Sequence, residues 1–286
     1  MKKTLLFSLI MAVVTVPAFC AQYNVLVIVG DSHVDAEAQY LQTLNNVEGI
    51  SFSYEVVHIN SDLGNRGTKD AVNFGKEIEK GNIKLSDYQI IWFTWNGPGH
   101  DGGYFMEGAE DAVKEFVKNG GVVWMGAFDN NFNDPDGNQV GGWFPIDEHP
   151  VTIMDTGDAP VKITSDGDSS GLFSKPNKVD MNAITLDDNF ANVDKDFVIL
   201  ATRTDNNQPA AFVLHYGKGA YVEVCYDTRD AGKLEAAKPL LENGLYYCAT
   251  LVKSAAVDPG SKLPITWGEI KCYIHRKYER YLNNTP

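Results

Sequence analysis

Basic residues are scarce in this chain, cysteines are scarcer, and no apolar run reaches membrane-spanning length. Against 38 Asp and Glu stand only 24 Lys and Arg, a formal net charge of −14. With no basic surplus to displace phosphate counterions, nucleic acid is excluded as the main partner. Four Cys in 286 residues exclude a small disulfide scaffold. No segment supplies the roughly 20 apolar residues of a spanning helix, so no transmembrane segment is expected. The six His show no paired spacing, which argues against a His-Glu-x-x-His zinc centre. A serine triad on a Gly-x-Ser-x-Gly elbow is not expected either.

What is present suits a globular α/β protein: 44% of residues are hydrophobic and 11% aromatic, enough to build a real core. The first 20 residues read as a signal peptide. Lys2 and Lys3 precede a short apolar stretch from Leu5 to Val16, and Pro17-Ala18-Phe19-Cys20-Ala21 supplies small residues for cleavage. Export to the periplasm or the extracellular space is therefore expected. The mature chain keeps Cys225, Cys248 and Cys272, which permit one disulfide or can serve as buried apolar residues.

Buried-strand patterns alternate with helical ones. Strands are predicted at Tyr23 to Val29, Phe52 to Ile59, Tyr88 to Trp95 and Val122 to Ala127. Helices are predicted at Val34 to Asn45, Asp70 to Lys80 and Tyr104 to Asn119, the last stopped by Gly120-Gly121. This rhythm implies right-handed crossovers and a parallel sheet. It breaks at about 128–195, a stretch rich in Asp, Asn, Gly and Pro that reads as an irregular insertion. Strands resume at Phe197 to Ala201, Ala210 to His215 and Ala220 to Tyr226, with a tight turn at Tyr216-Gly217-Lys218-Gly219. A core helix from Glu235 to Lys253 closes the domain (21–255). A helical tail (256–286) follows, with Ile270, Tyr273, Ile274, Tyr278 and Leu282 on one face.

Several short motifs stand in a definite order. Leu85-Ser86-Asp87-Tyr88 precedes a buried strand, and Val113 to Asn119 is followed by Gly120-Gly121-Val122-Val123. After these come Gly141-Gly142-Trp143-Phe144-Pro145 with His149-Pro150, then His215-Tyr216-Gly217-Lys218-Gly219, and last Leu240-Leu241-Glu242-Asn243-Gly244-Leu245. In this order, over about 23–252, they resemble the ThuA-like (trehalose-utilisation) family of the class I glutamine amidotransferase-like superfamily. The resemblance implies a flavodoxin-like sandwich: a mostly parallel central sheet with helices on both faces and an irregular insertion.

Amidotransferase chemistry needs a thiolate on a sharp strand-to-helix turn and a histidine to activate it. The corresponding turn here is Met125-Gly126-Ala127-Phe128, and Tyr226-Asp227 stands where the base belongs. Glutamine hydrolysis is not expected, and no catalytic residue is assigned. In doubly wound sheets ligands bind beyond the carboxyl ends of the strands. The candidate ligand-binding residues there are Asp31 and His33, then Asn96, His100 and Asp101, then Asp129 and Asn130, then Tyr226 and Asp227. The glycine-rich stretch Asn96 to Gly103 either lets backbone N–H groups approach a ligand or simply turns the chain. Asp31, Asp101, Asp129 and Asp227 leave acid–base hydrolysis of a carbohydrate open.

No cofactor and no metal-ligand set is assigned. A structural calcium ion in the Asp129 to Asn138 loop competes with plain Asx turns. Two readings of function follow. One is a carbohydrate-associated binding or weakly catalytic protein, its sugar rings facing Trp95, Tyr104, Phe128, Trp143 and Phe144. The other is a non-catalytic structural or oligomerisation module of the cell envelope, whose tail either packs on a partner, as in a homo-oligomer, or docks on its own chain.

Overall fold

A computed structural model of the chain describes residues 22–30, 35–59, 71–94, 109–126, 149, 151–154, 159–184, 189–228 and 230–256. The fold is mixed α/β, built among the described residues on a nine-stranded sheet. Its parallel core forms from predicted strands: β1 (Gln22–Val29), β3 (Ile50–His58), β4 (Ile90–Phe93), β5 (Val122–Gly126) and β11 (Gly219–Val224). These pair as β3-β1-β4-β5-β11. Every residue of β4, β5 and β11 is buried, as expected for strands covered on both faces.

Antiparallel strands extend this core on both sides. The two-residue β2 (Asn46–Val47) folds back on β3. On the far side β10 (Pro209–Tyr216), β9 (Phe197–Arg203) and β7 (Val161–Ile163) follow β11 in that order. The turn Tyr216 to Gly219 joins β10 to β11 as the predicted hairpin. Gly217 takes φ 60°, and a Cβ on Gly219 would lie 2.0 Å from the Gly121 carbonyl oxygen, so the turn accepts no side chain where it meets the Gly120-Gly121 helix stop.

Helices α1 (Asp35–Thr43) and α5 (Ala231–Ala256) cover one face of the sheet, and α2 (Phe74–Glu79) and α3 (Glu110–Lys118) cover the other. Neighbouring residues of β4 show the division. Trp92 turns to Glu37 of α1 and Gly244 of α5, whereas Phe93 meets Phe74 of α2 edge-on. Helix α2 is shorter than the predicted Asp70 to Lys80 span because the Asn73 side chain caps it, accepting from the Lys76 N–H. On α3, Val113 and Val117 are buried as the helical period requires.

Within the stretch read as irregular, the described parts carry regular structure. There β6 (Thr152–Met154) pairs with β8 (Asn189–Ala191) in a second small sheet, α4 (Ser165–Ser170) packs on β9, and β7 joins the main sheet. Three-residue strands and a six-residue helix are too short to show a period, which is why the sequence reads as loop. The segment is fastened to α5 by Asn243. Its side-chain N–H groups donate to the carbonyls of Leu172 (2.8 Å) and Asn177 (2.7 Å), and its Oδ1 accepts from the Asn177 N–H (2.8 Å).

Candidate functional site

The parallel strands all end at the same edge of the sheet, and a buried polar cluster lies just beneath that edge. At its centre is Glu37, on the helix that follows β1 and with no exposed surface. Its Oε1 accepts from the Tyr226 hydroxyl (2.7 Å) and from Trp92 Nε1 (3.1 Å); its Oε2 accepts from the Thr228 hydroxyl (2.6 Å). Trp124 Nε1 donates to the Tyr226 oxygen at 3.2 Å. One carboxylate thus joins α1, β4 and the segment leaving β11.

Two indoles form the apolar side of this cluster. Trp92 and Trp124 are direct neighbours across β4 and β5 and stack with centroids 4.4 Å apart and planes 13° from parallel. Gly244 of α5 sits on them, and a Cβ there would come within 2.8 Å of both rings. The Asn243-Gly244 pair quoted from the sequence therefore has two jobs: the amide ties down a neighbouring segment, and the glycine admits the tryptophans.

Of the sequence-predicted site residues, Tyr226 and Asp227 are described. Tyr226 is fully buried, and Asp227, 3% exposed, forms an ion pair with Lys233 of α5. Burial, followed by the nearby Glu37 charge, pushes the Tyr226 phenol well above its ordinary value, so it stays a neutral donor. Asp31, His33, Asn96, His100, Asp101, Asp129 and Asn130 lie outside the described residues, as do the aromatics Trp95, Tyr104, Phe128, Trp143 and Phe144, the Asp129 to Asn138 loop and the tail. Sequence reasoning missed Glu37 and Thr228. A Glu within a polar helix gives no signal of its own; Thr228, two residues beyond Tyr226 at a strand end, offered the better clue.

The two cysteines among the described residues are sealed rather than presented. Cys225 and Cys248 are buried thiols, and burial pushes the Cys248 thiol up. Letter by letter, Gly167-Asp168-Ser169-Ser170-Gly171 does match Gly-x-Ser-x-Gly. It is no strand-to-helix elbow, because Ser169 lies inside α4 and its hydroxyl donates to the Ser165 carbonyl at 2.8 Å.

At the opposite edge, beside the amino ends of the parallel strands, lies an open groove of about 950 Å³ lined by Ile83, Leu85, Tyr88, Phe116 and Val252 among others. Near that edge too, His149 faces Asp194 and Asp196, the one cluster of three metal-ligand types among the described residues. The Asp196 backbone N–H, with the His149 imidazole beyond it, holds the Asp194 carboxyl below the usual carboxylate range.

No protein-family profile matches the chain. No curated protein matches it either. Solved structures do. A β-galactosidase from Rahnella sp. R3 aligns at 14% identity and a TM-score of 0.48, over 81% of this chain and 31% of that one. A β-galactosidase from Bacillus circulans sp. alkalophilus aligns at 13% and 0.44, over 83% of this chain and 32% of that one. A cytoplasmic protein from Salmonella typhimurium LT2 aligns at 11% and 0.44, over 82% of this chain and 98% of that one. The chain thus spans about a third of each galactosidase. Among the described residues no helix is long and apolar enough to cross a membrane.

Proposed function

We propose that this chain is an exported ThuA-like protein of the class I glutamine amidotransferase-like superfamily, a flavodoxin-like sandwich that binds carbohydrate at the carboxyl edge of its sheet without amidotransferase chemistry. The observation that carries this reading is the strand order. Counted along the chain, the parallel strands run 2-1-3-4-5, the doubly wound order whose ligand crevice opens between the first and third strands. Here those are β1 and β4, and the Glu37–Trp92 hydrogen bond crosses between them.

The candidate residues follow the same strand ends in sequence: Asp31 and His33 after β1, Asn96, His100 and Asp101 after β4, Asp129 and Asn130 after β5. Hydroxyl-rich sugars suit such Asp, Asn and His groups, and the nearby aromatics suit their apolar faces. Binding is favoured over turnover for two reasons. The sequence at the end of β5, Gly126-Ala127-Phe128, supplies no thiol, and Asp227 is paired with Lys233. The burial of Glu37, Tyr226 and Asp227 also favours a second reading, a non-catalytic structural or oligomerisation module.

Calorimetric titration of the mature chain with a panel of mono- and oligosaccharides separates the two. The expected result is saturable binding of at least one sugar, weakened tenfold or more by Asp31→Ala, His100→Ala or Asp129→Ala with the melting temperature held within a few degrees. A flat panel, or binding untouched in all three variants, overturns the crevice and leaves the structural reading.

A further inference from the structure

A histidine nitrogen without a hydrogen-bond partner is an unusual thing to bury beside two carboxylates. His149 Nδ1 is such an atom: it is shielded from solvent and makes no hydrogen bond. It lies 3.4 Å from Asp196 Oδ2 and 3.8 Å from Asp194 Oδ1, and all three ligand atoms are within 4.8 Å of one another. We propose that His149, Asp194 and Asp196 form a binding site for a divalent transition-metal ion of the zinc class.

The spacing fits an ion better than it fits a direct contact. Ligands about 2.0–2.1 Å from a tetrahedral zinc stand ~3.3 Å apart; the His149–Asp196 separation of 3.4 Å already matches this, and the 3.8 Å to Asp194 needs only a small side-chain shift. A direct N–H···O bond would need the imidazole and a carboxylate to approach to about 2.9 Å in line. The donor set also selects the metal. Calcium and magnesium favour all-oxygen shells, whereas one imidazole with two carboxylates suits zinc and its first-row neighbours.

The surroundings fix two of the three donors. The His149 ring is held edge-on by Phe197 and Tyr216, both at 6.3 Å with planes 90° and 89° away. Asp194 is locked by its own turn, since its Oδ1 accepts from the Asp196 N–H at 2.9 Å. That turn places two carboxylates two residues apart, directly ahead of β9. Asp196 is half exposed, which leaves a side open for the ion and for water as fourth ligand. Because the cluster lies away from the carboxyl edge of the sheet, the ion would act as a clip, fastening the chain before β6 to the β8–β9 turn.

The test uses the untagged mature chain, stripped with chelator and titrated with Zn²⁺, then separately with Co²⁺ and Ca²⁺. One zinc per chain should bind, raising the melting temperature, and Co²⁺ should give visible absorption bands of a nitrogen- and oxygen-ligated site. Asp196→Asn, at an exposed position that leaves packing intact, should weaken zinc by roughly tenfold to a hundredfold. His149→Gln should do the same and also abolish the cobalt bands. The proposal is overturned if no zinc binds, if calcium binds in preference to zinc, or if zinc affinity persists undiminished in both variants.

Discussion

At the carboxyl edge of the parallel strands Glu37 accepts hydrogen bonds from three side chains on two other parts of the chain and has no exposed surface. Near the other edge, Asp194 and Asp196 stand partly in water around an imidazole nitrogen that bonds to neither. Both clusters join segments far apart in sequence. The first does so with its polar groups satisfied by the protein itself, so it belongs to the folded core. The second leaves a shielded imidazole nitrogen facing two carboxylates without a hydrogen bond to either. The difference teaches that burial of a carboxylate and convergence of carboxylates are separate signals, one of architecture and one of ligand-binding chemistry.

Removing the hub of the first cluster breaks this contrast most severely. Glu37→Ala leaves the Trp92, Tyr226 and Thr228 donors buried without their acceptor and should cost about 3 to 5 kcal/mol in urea unfolding. A loss below 1 kcal/mol would mean that water takes over the acceptor role and the cluster is less sealed than described. Tyr226→Phe removes one donor to the carboxylate and should cost about 1.5 to 3 kcal/mol.

The same variant sharpens the comparison through pH. The folded phenol titrates above its ordinary value of 10.0, raised first by burial and then by Glu37. Below pH 10 both states are protonated and its contribution is complete. Above pH 10 the unfolded chain releases the proton first, so stability falls as pH rises toward the folded value. Tyr226→Phe should make that alkaline decline shallower. It will not abolish it, because burial also raises the phenols of Tyr40, to about 12, and of Tyr54. The smallest effect belongs to the second cluster: in chelator, Asp196→Asn should change stability by no more than about 0.5 kcal/mol. A larger loss would show that the carboxylate bonds directly to His149.

The sequence was most informative where a buried strand leaves a continuous apolar run. Val25 to Val29, Ile90 to Phe93 and Val122 to Met125 could scarcely be anything else, and the glycines after α3 and in the β10–β11 turn marked chain reversals through their geometry. It was silent where elements are shorter than their own period, as with β6, β7, β8 and α4. Clusters were harder still. His149 is 45 residues from Asp194, so no motif spacing records their meeting. Glu37 is separated from Tyr226 by nearly the whole domain, and only the crossover order brings them into contact. Tyr226 and Asp227 were legible as residues at a strand end; that both turn inward depends on α1 and α5 covering that face.

The stacked indoles of Trp92 and Trp124 have an optical consequence. Two identical chromophores 4.4 Å apart share their excitations, so their transitions split, and a skew between the two transition dipoles makes them absorb left- and right-circularly polarised light unequally, in paired bands of opposite sign. This couplet arises at the inner wall of the candidate crevice, where Trp92 is hydrogen-bonded to Glu37 and Trp124 to Tyr226. A ligand that tilts either ring would change its amplitude, giving the protein an intrinsic, label-free spectroscopic gauge of the proposed site.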